Sequence, residues 1–369
     1  MAGIYIHVPF CKQKCTYCDF ASYPREIQKA ELYFGLLYKE AKSRGMEVKD
    51  KTFDTIYFGG GTPSFVDPKY ILGCMRLLKK YYTLSPDAEV TLEVNPGTID
   101  RNKLRVYKQA GINRFSIGLQ TADDDILRSL NRVHTTEDFI RAAEILKDYN
   151  FSADVMIGLP GQTSENVKKT IDLAVLCGAK HISVYALKPE EGTPMYSKYL
   201  NGDLPDGDTV ADFYDFSVSY LKEKGFYRYE VSNFAIPGYE SKHNLNYWKR
   251  GEYMGLGVSA SSFINGRRFT NTESIDEYVH CLLNDKYAEV FSENIEGEES
   301  KFEYVFLALR TTYGVNFKEY KSAFGTDFYM DFKTKLPTVI KYLDVTDTSV
   351  KIKDEYLYVQ NEIIINLMD

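Results

Sequence analysis

The 369-residue sequence has no uninterrupted apolar run of about 18 residues, the length a membrane-spanning helix needs. Its first ten residues lack the basic start and long apolar stretch of a secretory signal, so a cytoplasmic address is expected. Cysteine is scarce: there are six, three of them scattered, which does not suit a secreted disulfide framework. Positive charge is not in excess. A net charge of −7 and a pI near 5.5 argue against a broad electrostatic footprint, and no nucleic-acid partner is expected. No short internal period and no low-complexity tract stands out, which excludes a solenoid.

What is present is the composition of a globular protein, 44% hydrophobic and 26% charged. The length suits about two domains, one of them a large α/β barrel. Short β-rich runs, "GIYIHV", "FDTIYFGG", "EVTLEVN", "RFSIGL", "FSADVMIG" and "HISVYAL", alternate with segments of helical spacing at 26–45, 68–82, 100–110, 136–148 and 164–176. The runs are rich in Val, Ile and Phe, as in strands covered on both faces. The expected fold is therefore α/β, a partial (β/α)6 barrel.

Residues 208–225 read as a further helix, and "KHNLNYWKRGEYMGLGVSASSF" departs from the rhythm, as elaboration beside the barrel mouth would. "SENIEGEES" marks a boundary before a helical segment and a terminal strand pair, "VKIKDEYLYVQNEIIINL". The organisation expected is a barrel over 1–235, a connecting region over 236–291, and a small C-terminal α+β, winged-helix-like domain over 292–369. Wing-like folds often bind DNA. Residues 296–369, however, carry nine Lys and Arg against thirteen Asp and Glu, which favours a structural or partner-binding role.

The other three cysteines, Cys11, Cys15 and Cys18, follow the first strand with the spacing C-x3-C-x2-C. Structural zinc normally takes four protein ligands, and His7 is a candidate fourth only if it turns out of its strand. A four-iron, four-sulfide cubane usually takes four cysteines; three leave one iron with an exchangeable site. Both readings stand at this point, as does an electron-transfer cluster. Cys74, Cys177 and Cys281 sit among apolar neighbours and read as core packing.

In β/α barrels functional residues gather where strands end. "GGGTP" (59–63) follows the second run, its glycines letting backbone approach a ligand. Glu93 ends the third, suited to accept hydrogen bonds from ribose hydroxyls. Gln120 ends the fourth, Asp154 lies in the fifth and Ala186 ends the sixth. Arg132 offers a bidentate fork for a carboxylate. In "HNLNYW" (243–248) His243 carries an imidazole, Tyr247 shares its helical face at i+4, and Trp248, the sole tryptophan, is a large apolar wall. His7, His134, His181 and His280 read as structural.

The three-cysteine pattern resembles the radical S-adenosylmethionine (SAM) superfamily, in which SAM chelates the unique iron of a 4Fe-4S cluster. "IYIHVPFCKQKCTYCDF", "GGGTP", "LEVNP", "FSIGLQ", "LNRVH" and "MIGLPGQT", in this order, resemble the oxygen-independent coproporphyrinogen III oxidase family over essentially the whole chain. The resemblance implies that Cys11, Cys15 and Cys18 bind the cluster and that Tyr5, Gly60, Gly61, Thr62 and Glu93 lie at a first SAM. Tyr17, Gln120, Arg132, Asp154 and Ala186 match positions that border a second SAM in the oxidase.

Two departures point away from the oxidase itself. Oxidases carry a further cysteine where this chain has Phe20, and an N-terminal extension where it starts at Met1-Ala-Gly-Ile-Tyr5. The H-N-x-x-Y-W motif instead resembles the haem-chaperone branch, HemW. That branch implies haem as a third cofactor, His243 as its ligand, and acceptor haemoproteins such as respiratory enzymes as partners, with transient membrane-protein contact. It implies no coproporphyrinogen oxidase activity, and enzymatic turnover is left open. The oxidase, which turns propionates into vinyl groups by radical decarboxylation, and a zinc-binding structural module are the alternatives.

Overall fold

A computed structural model describes residues 1–368. β1 (Ala2–Val8), α1 (Ala30–Glu47), β2 (Thr52–Gly60), α2 (Pro68–Tyr81), β3 (Thr83–Val94), α3 (Arg101–Ala110), β4 (Arg114–Gln120), α4 (Thr136–Leu146), β5 (Asn150–Ile157), α5 (Ser164–Leu176), β6 (His181–Ala186) and α6 (Gly207–Glu223) alternate along the chain. The six strands pair in parallel in chain order, as short crossovers through helices require. After α7 (Lys242–Trp248), β7 (Glu252–Leu256) joins the free side of β1, again in parallel. The helices start where side chains can satisfy their first N–H groups: Thr135 with Asp138, and Thr163 with Asn166, form reciprocal capping boxes.

Strand alternation sorts the residues between two environments. Ile4, Ile6, Val8, Ile56, Phe58, Val90, Leu92, Phe115, Ile117 and Ile182 are buried against the helices in one continuous core. The intervening positions face the lumen and hydrogen-bond there: Tyr57 to Glu93, Ser116 and Ser183 to Asp154, Tyr5 to His7, and Thr55 and Glu89 to His243. One face of the sheet is apolar and packed against the helices, and the other lines a polar lumen. The lumen is polar because it must hold polar groups.

Residues 236–291 do not form a separate layer. Strands Ser261–Ile264, Arg267–Asn271 and Glu289–Asn294 extend the same sheet beyond β7 in antiparallel fashion, and Met254, Leu256, Phe269 and Tyr278 belong to the barrel's core. A second core begins at Val305 and includes Leu309, Tyr320, Phe328, Val350 and Ile364. Its wing is Leu343–Val345 against Ser349–Ile352. The tail of the expected strand pair is instead helical: Gln360–Met368 follows a short turn of helix over Asp354–Val359, and Ile363, Ile364 and Leu367 recur at helical spacing to fill the second core. Cys74 is buried in the barrel core, and Cys177 and Cys281 pack against it. Among the described residues no helix is long and apolar enough to cross a membrane.

Candidate functional site

The carboxyl ends of β2 to β6 open on a cavity of about 470 Å3, the size of a small-molecule site. Cys11, Cys15 and Cys18 form one wall, all half-buried on the loop after β1. That loop is held from three directions. The Thr16 N–H donates to the Leu130 carbonyl at 3.1 Å, the Met195 N–H donates to the Thr16 carbonyl at 3.0 Å, and the Asn131 amide donates to the Lys14 carbonyl at 2.8 Å. Phe20, where a further cysteine would stand in the oxidase, lines the cavity with 64% of its surface exposed.

The glycine turn docks against this loop. The Gly61 N–H donates to the Val8 carbonyl and the Thr62 N–H to the Phe10 carbonyl, both at 2.9 Å, and Thr62 Oγ1 lies 3.4 Å from Cys11 Sγ. Gly60 takes φ +107°, and a Cβ there would fall 2.5 Å from the His7 ring; at Gly61 it would meet the Val8 carbonyl at 2.9 Å. Both glycines are needed for close backbone approach. His7 is not a metal ligand here: its ring nitrogens lie 2.8 Å from the Ala21 carbonyl oxygen and 3.1 Å from the Tyr5 hydroxyl.

The carboxylates Glu93 and Asp154 line the cavity on the strand side, and the guanidinium of Arg132 lies beside the thiols. Glu93 accepts from the Tyr57 hydroxyl at 2.8 Å, and burial pushes its carboxyl up to about 7. Asp154 accepts from Ser116 Oγ at 3.1 Å and Ser183 Oγ at 2.9 Å, and burial raises it as well. Arg132 donates from Nη2 to the Gly118 carbonyl at 3.0 Å and from Nη1 to Cys15 Sγ at 3.4 Å, so it touches the cysteine loop directly. Gln120 holds a left-handed backbone at φ +67°, a strained conformation placed where β4 opens into the cavity. Tyr17 reaches the cavity from an apolar cluster with Leu130, Met156 and Met195.

Two residues expected at the site lie off its wall. Tyr5 sits one layer below, stacked on Tyr57 at 6.3 Å. Ala186 is exposed at the rim, and its neighbours Tyr185 and Leu187 line the cavity instead. Tyr57, Asn95, Ser116 and Tyr185 were missed from the sequence. Period-two counting back from the ends of β2 and β4 finds two of them, Tyr57 from Gly59 and Ser116 from Gln120.

The structure does not bring His243 to the cavity mouth. α7 plugs the other end of the barrel, under the amino ends of β1 to β3, and not beside the mouth as its loop-rich setting suggested. His243 is 1% exposed, with Nδ1 2.8 Å from Thr55 Oγ1 and Nε2 2.9 Å from the Tyr247 hydroxyl. Burial lowers its imidazole to about 3. With both nitrogens engaged, it is not an open axial ligand in this conformation. Trp248, half-buried, closes the helix.

Residues 5–174 match the Radical SAM superfamily. Over 332 residues the chain is 36% identical to "Heme chaperone HemW" of Bacillus subtilis (strain 168), covering 88% of this chain and 87% of that protein. The chain belongs to the HemW family. A HemW of Synechocystis sp. is also 36% identical, over 88% of this chain and 81% of its own, and that of Escherichia coli (strain K12) is 34% identical, over 82% and 80%. The solved structure of Escherichia coli coproporphyrinogen III oxidase (HemN) superposes with a TM-score of 0.88, covering 99% of this chain and 89% of that one, at 20% identity. The two therefore share a fold.

The superfamily implies a 4Fe-4S cluster and SAM, and the residues fit both. Burial pushes the Cys11 and Cys18 thiols up, so their thiolates need a bound cation to persist here. Arg132 Nε and Asn95 Oδ1, both in residues on the cavity wall, are buried without a partner, donor and acceptor for a polar ligand. Among the described residues no three His, Cys, Asp or Glu side chains converge as ligands to one ion, so a zinc-only site finds no ready cage.

Proposed function

We propose that this chain is a radical-SAM-type haem chaperone, holding a 4Fe-4S cluster, SAM and haem, and passing haem to acceptor haemoproteins such as respiratory enzymes. Contact with membrane-bound acceptors would be transient, and the compartment would be the cytoplasm. The observation that carries this reading is a wall of three thiols, with Phe20 in place of a fourth and Arg132 against Cys15, sharing one cavity with buried carboxylates. When bound, the cluster supplies one-electron chemistry at the SAM sulfonium.

The chain's own residues have separable tasks. Cys11, Cys15 and Cys18 would hold the cluster. Gly60 and Gly61 let backbone approach the ligand, and Thr62 braces Cys11. Glu93 would accept from the ribose hydroxyls. Arg132, already against Cys15, would offer Nε beside the cluster. Gln120 and Asp154 lie on the strand-end wall, Tyr17 lies on the cysteine loop, Tyr5 supports from below and Ala186 from the rim. His243 would ligate haem only after giving up its bonds to Thr55 and Tyr247.

The oxidase alternative rests on a shared fold at 20% identity, whereas relatives named haem chaperones share 36% of residues over most of the chain. Anaerobic reconstitution, haem titration and an assay with coproporphyrinogen III separate the two. Haem binding without turnover is expected; conversion of propionates to vinyl groups would establish the oxidase.

A further inference from the structure

Tyr57 touches both ends of the lumen. It lines the cavity, and its hydroxyl donates to Glu93 at 2.8 Å. Its ring lies on His243, with centroids 5.1 Å apart and planes 22° from parallel. Two residues back on the same face of β2, Thr55 Oγ1 holds His243 Nδ1. The next strand repeats the arrangement: Glu93 faces the cavity, and four residues back on the same face Glu89 accepts from the His243 N–H at 3.0 Å and the Lys242 N–H at 3.2 Å. β2 and β3 thus each carry one contact to the cavity and one to the helix. Gly3 on β1 leaves the room the imidazole needs, since a Cβ there would stand 2.9 Å from Thr55 Oγ1 and 3.1 Å from the His243 ring.

We propose that Tyr57 is a positioning residue that ties the docking of the HNxxYW helix to occupancy of the cavity. The proposal rests on the reading above, that the cavity takes a nucleoside whose ribose hydroxyls reach Glu93. A diol that takes the acceptor site on Glu93 Oε1 now used by Tyr57 displaces the Tyr57 hydroxyl. The ring then loses its anchor on the cavity side and shifts against the imidazole stacked on it. His243 is held by single hydrogen bonds to Thr55 and Tyr247, and it loosens with that shift. Occupancy of the cavity thereby makes the imidazole available to a ligand at the opposite end of the barrel. By linkage, a loosened helix must in turn favour the occupied cavity.

The test uses the full chain, anaerobically reconstituted, with SAM as the probe. Electron paramagnetic resonance of the reduced cluster reports whether SAM is bound, and hydrogen exchange over 242–248 reports on the helix. In the wild type, SAM should speed exchange there by about five-fold or more, the lower end of ordinary coupling between sites. In Tyr57→Phe, which keeps the ring and loses the hydroxyl, SAM should still perturb the cluster signal but leave exchange in the helix unaltered. Thr55→Val, off the cavity wall, supplies the reciprocal arm: it frees His243 and should tighten SAM binding by a similar factor. A cluster signal indifferent to SAM would remove the underlying reading. A responding cluster with an unresponsive helix in the wild type, an equal helix response in Tyr57→Phe, or unchanged SAM affinity in Thr55→Val would overturn the coupling.

Discussion

The two ends of the barrel are built from the same six strands and differ in what fills them. At the carboxyl ends, half-buried thiols, a raised carboxyl and the unpartnered Arg132 Nε and Asn95 Oδ1 surround open volume. At the amino ends, α7 fills the lumen and both nitrogens of His243 are occupied. The first end leaves open volume for a ligand; the second is filled by the chain's own helix, although Asn246 Oδ1 on that helix and Arg114 Nε at the start of β4 are also buried without a hydrogen-bond partner. A buried polar group left without a partner costs about 1–3 kcal/mol, and at the open end a bound ligand has room to supply that partner.

This contrast fixes the order of expected effects. Cys15→Ala should abolish cluster assembly, read as loss of iron and sulfide, while the apo protein's unfolding transition stays within about 0.5 kcal/mol because the loop lies outside the core. Retention of a full cluster would dissolve the distinction between the ends. Glu93→Gln should weaken SAM by about ten-fold or more, since a charged acceptor for two hydroxyls becomes a neutral one. An unchanged affinity in isothermal titration would remove Glu93 from the site.

His243→Ala should act oppositely, as a stability defect of about 2–4 kcal/mol from a lost buried ring and two lost hydrogen bonds, measured by denaturant unfolding of the apo chain. An exposed, waiting ligand would cost almost nothing. Gly3→Ala should cost about 1–3 kcal/mol by overpacking the space between Thr55 and His243. The smallest effect is a pH dependence. Glu93 is held up to about 7, and only its ionised form offers all its acceptor sites, so SAM affinity should rise several-fold between pH 6 and 8. Glu93→Gln should flatten that part of the profile.

Much of the open end was legible in the sequence. The C-x3-C-x2-C loop, the glycine turn, Glu93, Gln120, Arg132 and Asp154 all follow or end strands whose hydrophobic runs are plain, and strand ends are where a barrel keeps its chemistry. The closed end was not legible, for a physical reason. Periodicity within α7 shows that His243 and Tyr247 share a face, but nothing local tells which cavity that face enters; Thr55, Glu89 and Gly3 decide it from more than 150 residues away. The C-terminal tail misled in a related way. "IIIN" is β-branched and reads as strand, yet the segment packs as a helix against Leu336–Val339 in the second core, and packing overrode propensity. The lumen-facing polar residues hid inside apolar runs because each is only every second position.

The most direct measurement is low-temperature electron paramagnetic resonance of the reconstituted, dithionite-reduced protein with and without SAM. Three cysteine ligands leave one iron open, so the signal should change on addition of SAM and should be absent in Cys15→Ala. A spectrum identical with and without SAM would contradict the assignment of the cavity and everything built on it.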